Sequence, residues 1–126
     1  MWTKLTLLWT SVIVCVTTLP WQNFAGHPHW DHVRWIPFQD HPLALFDIVA
    51  NVLLFVPFGY FLVRALPRRS RAWPRTLALA AALSASVEWF QVYSHHRMPS
   101  TTDILTNVLG AGVGLLLALK RQPAVE

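Results

Sequence analysis

Apolar residues fill four stretches of the chain, and polar residues interrupt them at regular places. The runs at about 5–21, 43–66, 76–93 and 103–119 are long and oily enough to predict helices. Each approaches the roughly 20 residues that a helical bilayer crossing takes. Between them lie a loop at 22–42 rich in histidine and proline, an arginine-rich loop at 64–75, and a short turn carrying Arg97. The pattern predicts an all-α fold, a polytopic membrane protein with four transmembrane helices and one domain over residues 1–126. Trp2, Trp9, Trp21, Trp73 and Tyr93 fall near the ends of the runs, where interfacial aromatics collect.

Composition strengthens that reading. Hydrophobic residues make up 54% of the chain and charged residues 13%, about half the share usual in a soluble domain. A soluble chain of this size could not hide so much apolar surface. The first run could be a cleaved signal peptide, because Lys4 precedes it. The sequence that follows, LPWQNFAGH, has no small-x-small cleavage site, which favours a retained signal anchor. Cys15 lies within this run and reads as a packing residue.

Charge then sets an orientation. Lys4, Arg64, Arg68, Arg69, Arg71, Arg75, Lys120 and Arg121 fall on one side of a four-span arrangement, and only Arg34 and Arg97 on the other. By the positive-inside rule both termini and the loop at 64–75 are cytoplasmic, and the loop at 22–42 is extracytoplasmic. The arginine loop needs no further role than fixing topology and touching anionic headgroups. Because the basic residues sit between membrane runs, nucleic acid is not an expected partner; membrane lipid is.

With orientation fixed, the polar residues inside the runs share one depth. Asp47 and Asn51 open the second run. Glu88 and Gln91 close the third, with Ser84 a turn below, and Asp103 and Asn107 open the fourth. Spacings of three and four put each set on one helix face, and Arg97 lies at the same level. An acid facing lipid costs several kcal/mol, so these faces are expected to turn inward and line an outward-facing pocket. Gly110 and Gly114 continue the stripe on the fourth run as a GxxxG pair, which permits close helix approach. Pro57 and Gly59 interrupt the second run; Pro57 leaves the Leu53 carbonyl without its helical donor and bends the helix. DIVANVL at 47–53 and DILTNVL at 103–109 form a weak parallel repeat, as two equivalent half-sites would.

Plainer readings exist for each residue. Asp103 follows Ser100, Thr101 and Thr102 and can simply complement a helix N-terminus. Asp47 is less easily explained so, since Asp40, with Pro42 after it, is the better cap. Asn51 and Asn107 serve equally well as ties between helices. Glu88 needs a partner, and Arg97 is the nearest cation, so a structural Glu88–Arg97 pair is a natural expectation.

Taken in order, NVLLFVPFGYFL, SASVEWFQ and RMPSTTDILTNVLGAGVG resemble the VanZ-like family of small bacterial membrane proteins. Asn51, Phe55, Pro57, Gly59, Glu88, Gln91, Arg97, Asp103, Asn107 and Gly110 match that family's ordered pattern, and the match covers about 47–119. The resemblance implies a bacterial inner (cytoplasmic) membrane protein. It also implies a possible link to low-level resistance to the glycopeptide teicoplanin, a property associated with the family's namesake.

The histidine loop is not part of the resemblance. His27, His29 and His32 have an H-x-H-x-x-H spacing that suits zinc or copper. The neighbouring prolines and aromatics favour a solvated, pH-responsive surface loop over a metal site, and no cofactor is expected. Two kinds of function remain. In the first, Asp47, Asn51, Glu88, Gln91, Arg97, Asp103 and Asn107 bind an amphiphile of the cell envelope, such as a lipid-linked precursor or a glycopeptide, without catalysis. In the second, Glu88 acts as general base, with Asp47 and Asp103 as a second acid or as metal ligands, in a hydrolase or transferase on a lipid-linked phosphate. No nucleophile stands out, which counts against an enzyme. A purely structural subunit is the third possibility.

Overall fold

A computed structural model describes residues 1–39, 44–66 and 71–121. Four helices account for most of them: α1 (Trp2–Thr18), α2 (Ala44–Ala65), α3 (Ala72–Val92) and α4 (Thr101–Lys120), with short 3-10 turns at Trp21–Asn23 and Trp30–His32. There is no named strand among the described residues; Phe24 and Ser94, and Arg34 and Ser100, form isolated bridges. The expected all-helical architecture is present. The expected cap at Asp40, Pro42 after it, and Arg68 and Arg69 of the arginine loop lie outside the described residues.

The helix ends follow local chemistry. α1 stops at Thr18, three residues before the expected end, with Leu19 in extended backbone, because a residue preceding proline is pushed out of the helical region. α3 starts at Ala72, earlier than expected, since Pro74 in its first turn costs no helical hydrogen bond there. Ser100 caps α4, its hydroxyl accepting from the Thr102 N–H at 3.1 Å. Asp103 therefore sits in the first turn, as the simple capping reading anticipates.

Among the described residues two helices, not four, are long and apolar enough on their own to cross a membrane: 45–65 and 101–120, with mean hydropathies of 2.0 and 1.6. α1 has only 17 residues, and α3 carries Arg75, Ser84, Ser86, Glu88 and Gln91. Thr76, Ser84, Glu88 and Gln91 of α3 are buried against the rest of the bundle. Most of α3's polarity is thus turned inward, while Ser86 stays exposed and Arg75 half-buried.

α2 and α4 form the centre, lying side by side and running in the same direction. Three glycines let their backbones touch. A Cβ on Gly59 would collide with the Ala111 backbone, one on Gly110 with Val52, and one on Gly114 with Val56 and Tyr60. Beyond the glycines, Ile13, Phe55, Phe58, Leu62, Ala80 and Ala111 make the main core, and Val63, Ala72, Leu115 and Ala118 a second cluster further along. α1 runs antiparallel to α2: Trp2 near its start stacks on Phe61 and receives the Arg64 guanidinium 4.8 Å above its ring. Cys15 faces away from this packing and is exposed, so it is not the packing residue expected; Ile13 of the same helix fills the core instead.

The chain at 19–39 lies across the other end of the bundle. Ala25 and His29 donate to the carbonyls of Tyr93 and Val92, His95 to Asn23, Arg34 to Pro99, and Thr101 back to Arg34, all within 2.6–3.1 Å. These bonds fix the loop against the α3–α4 turn.

Candidate functional site

A cleft of about 720 Å³ opens where this loop meets the bundle. Asp47 and Asn51 reach it from α2, Glu88 and Gln91 from α3, Arg97 from the turn, and Asp103 and Asn107 from α4. All seven polar residues singled out by depth and helix face line one space. Trp9, Val16, Ile48, Leu53, Leu54 and Val87 supply its apolar surface.

Each side chain has a definite setting. Asn51 donates from Nδ2 to Asp103 Oδ1 at 2.8 Å, joining the two halves of the sequence repeat. The equivalent bond from Asn107 to Asp47 is not made; Asn107 Nδ2 donates instead to Ser84 Oγ on α3 at 2.8 Å. The repeat is therefore parallel in its backbones but unequal in its chemistry, because α3 packs more extensively against α4 than against α2. Gln91 Nε2 donates to the Thr17 carbonyl at 2.9 Å, satisfying one of the carbonyls that every helix leaves open at its C-terminus.

Glu88 is buried and does not pair with Arg97. Its Oε2 accepts the Ser100 N–H at 2.8 Å, while Arg97 Nη2 donates to the Leu19 carbonyl at 3.0 Å. The expected ion pair is replaced by two backbone contacts, which hold the turn between α3 and α4 and the start of the loop. Asp47 is exposed at the rim. Asn107, only 3% exposed, has an Oδ1 that meets no hydrogen-bond donor among the described residues. A buried carbonyl of this kind costs about 1–3 kcal/mol unless something donates to it.

Some lining residues were not anticipated. Arg34 joins Arg97, so both cations that the charge count puts on this side face the same space. Their shared placement in that count was the available signal. Arg34 Nη2 also contacts Met98 Sδ at 3.2 Å. Trp9 donates from Nε1 to the Leu54 carbonyl at 2.8 Å, one residue beyond the Leu53 carbonyl that Pro57 cannot serve. A tryptophan read as an interfacial anchor is thus a strut between α1 and the proline region of α2. The cleft brings together three carboxylates, two guanidinium groups and several amides. As they stand, no three His, Cys, Asp or Glu side chains among the described residues are arranged to hold a metal ion; Glu88 and Asp103 are each engaged by a hydrogen bond.

The profile of the family described as VanZ/LLP1 matches residues 3–121, nearly the whole chain. The chain belongs to the VanZ/LLP1 family. No curated protein and no solved structure matches it. In this VanZ/LLP1 protein the match extends through α1, which the ordered motifs alone did not include. The two long apolar helices and the family membership together fit a membrane-associated chain.

Proposed function

We propose that this VanZ-like protein is a four-span protein of the bacterial inner membrane whose outward-facing cleft binds an amphiphile of the cell envelope. The observation that carries the reading is the convergence of Asp47, Asn51, Glu88, Gln91, Arg97, Asp103 and Asn107 on one cleft with an apolar wall. The spans are supported by direction. α2 and α4 run parallel, so if both cross, the chain between them must return through the membrane, and α3 is the segment that does so. The exposed Trp21, Trp35 and Phe38 on the covering loop suit the headgroup layer.

Both signs of charge in the cleft suit a polar headgroup with anionic and hydrogen-bonding groups. Arg34 and Arg97 are placed to meet a phosphate or carboxylate, and Asn107 Oδ1 to accept from a sugar hydroxyl or amide. A polyprenyl-diphosphate-linked precursor or a lipoglycopeptide of the teicoplanin type has such a headgroup on an apolar tail. The decisive experiment titrates nanodisc-embedded protein with each of these two probes. Saturable binding that weakens at least tenfold, about 1.4 kcal/mol, in both Asp47→Asn and Arg97→Gln supports the reading. Binding of neither probe, or binding indifferent to both substitutions, overturns it.

A structural role is the second reading, favoured by the bonds that Asn51, Glu88, Gln91 and Asn107 make within the protein. Asp47 separates the two, because it is exposed and makes no side-chain hydrogen bond or ion pair among the described residues: Asp47→Asn leaves a purely structural subunit unchanged in every assay.

A further inference from the structure

Outside the cleft, the structure gathers histidines from two distant segments. His27 and His29 of the covering loop meet His95 of the α3–α4 turn. The ring centres are 4.6 Å apart for His27–His29, 4.9 Å for His29–His95 and 5.9 Å for His27–His95. The sequence spacing pointed to His27, His29 and His32, but the fold substitutes His95 for His32, which stacks on the far side of His29 at 5.1 Å.

We infer that His27, His29 and His95 form a binding site for a divalent zinc- or copper-class ion at the loop-covered end of the bundle. Three observations carry this. A tetrahedral ion with nitrogens at about 2.0–2.1 Å holds its imidazole centres roughly 5 Å apart, and the three observed spacings bracket that value. The backbones are fixed independently of the side chains, since Ala25 and His29 donate to Tyr93 and Val92, and His95 donates to Asn23. The ends of the two segments are thus held in register without an ion. Third, His29 Nδ1 lies 3.3 Å from the Val92 carbonyl. A carbonyl only accepts, so this contact keeps the proton on Nδ1 and leaves the Nε2 lone pair for a ligand, the arrangement metal-bound imidazoles usually show.

As placed, no three His, Cys, Asp or Glu side chains among the described residues, these histidines included, are arranged to hold an ion. His27 and His95 are exposed, so holding an ion requires their rings to turn toward His29 on the backbone as it stands. Imidazole nitrogens select zinc, copper or nickel over the oxygen-seeking magnesium and calcium. Three protein ligands leave a fourth position to solvent or to exchange with another carrier.

The test uses the full chain without a polyhistidine tag, in detergent, stripped with chelator and titrated calorimetrically with zinc chloride and then copper chloride at about pH 7.5, where imidazole is neutral. One ion per chain is expected, with affinity falling at least tenfold in His29→Ala and in His95→Ala. No saturable binding of either ion tighter than about 100 μM overturns the inference, as does binding unchanged in a variant carrying both His29→Ala and His95→Ala. If a variant fails to fold, carbethoxylation of the wild-type histidines answers instead. Zinc should protect His27, His29 and His95 together, and equal labelling with and without both ions also overturns the site.

Discussion

Asn107 illustrates how much rests on single polar contacts in this protein. Its Nδ2 is held by Ser84, itself fully buried, and its buried Oδ1 meets no donor among the described residues. Ser84→Ala would strip the amide of its remaining protein partner. The expected cost is about 1–3 kcal/mol, read as a lowered thermal midpoint in detergent. Glu88 gives a sharper contrast. Glu88→Gln retains an oxygen to accept the Ser100 N–H, so its melting should stay close to wild type. Glu88→Leu removes the acceptor from a buried N–H and should lose about as much as Ser84→Ala. Equal melting of the leucine and glutamine variants would show that the bond to Ser100 does not hold the turn. At this scale the sequence disclosed a common level and face along the helices but not partners. The spacing of Asp47, Asn51, Asp103 and Asn107 implied a common level, yet nothing local indicated that Asn107 would choose Ser84, or Glu88 a backbone N–H. Those choices depend on how α3 leans against α4, which only tertiary packing decides.

Between elements, the α2–α4 contact dominates, and the glycines of GAGVG are not equivalent. Gly110 and Gly114 face α2 with no room for a methyl group, whereas a Cβ at Gly112 would meet only Leu77 Cδ2 at 3.7 Å, an ordinary contact. Gly110→Ala or Gly114→Ala forces two backbones apart, and overpacking of this kind costs about 1–3 kcal/mol or more. Gly112→Ala should be neutral or add up to about 1 kcal/mol, since alanine is the better helix former. Thermal melts of the three variants would check the order, and an equal loss at Gly112 would contradict the packing. The GxxxG spacing made the close approach readable in advance. It did not name α2 as the partner, nor Gly59 as the residue that answers from the other side. The helix bounds were readable to within a few residues, and the misses at Thr18 and Ala72 trace to Pro20 and Pro74.

For the molecule as a whole, the open question of membrane arrangement follows from direction and charge together. Among the described residues only α2 and α4 are apolar enough alone, and a two-span arrangement would ordinarily make them antiparallel. They are parallel, with Asn51 beside Asp103 at one end and Val63 clustered with Leu115 and Ala118 toward the other. Inserting both therefore obliges α3 to cross in the opposite sense, its Glu88 and Gln91 sheltered inside the bundle. α1, antiparallel to α2, accompanies it. Lys4, Arg64, Arg71, Arg75 and Lys120 then gather at one end, and Arg34, Arg97 and the histidine cluster at the other. On the proposed four-span arrangement, the positive-inside rule would put the first end in the cytoplasm. A fluorescent protein that matures only in the cytoplasm should shine when fused to either terminus. Alkaline phosphatase, active only outside, should work when inserted at Gly26, where an added side chain meets nothing within 4 Å. Replacing Arg64, Arg71 and Arg75 with glutamine, together with Arg68 and Arg69 of the same loop, should weaken this preference and produce a mixed population. Phosphatase activity from a terminus of the unaltered protein, or none from Gly26, would mean that the bundle does not sit across the bilayer in this sense. The cleft would then face the cytoplasm or no membrane boundary, and an extracytoplasmic amphiphile could not be its ligand.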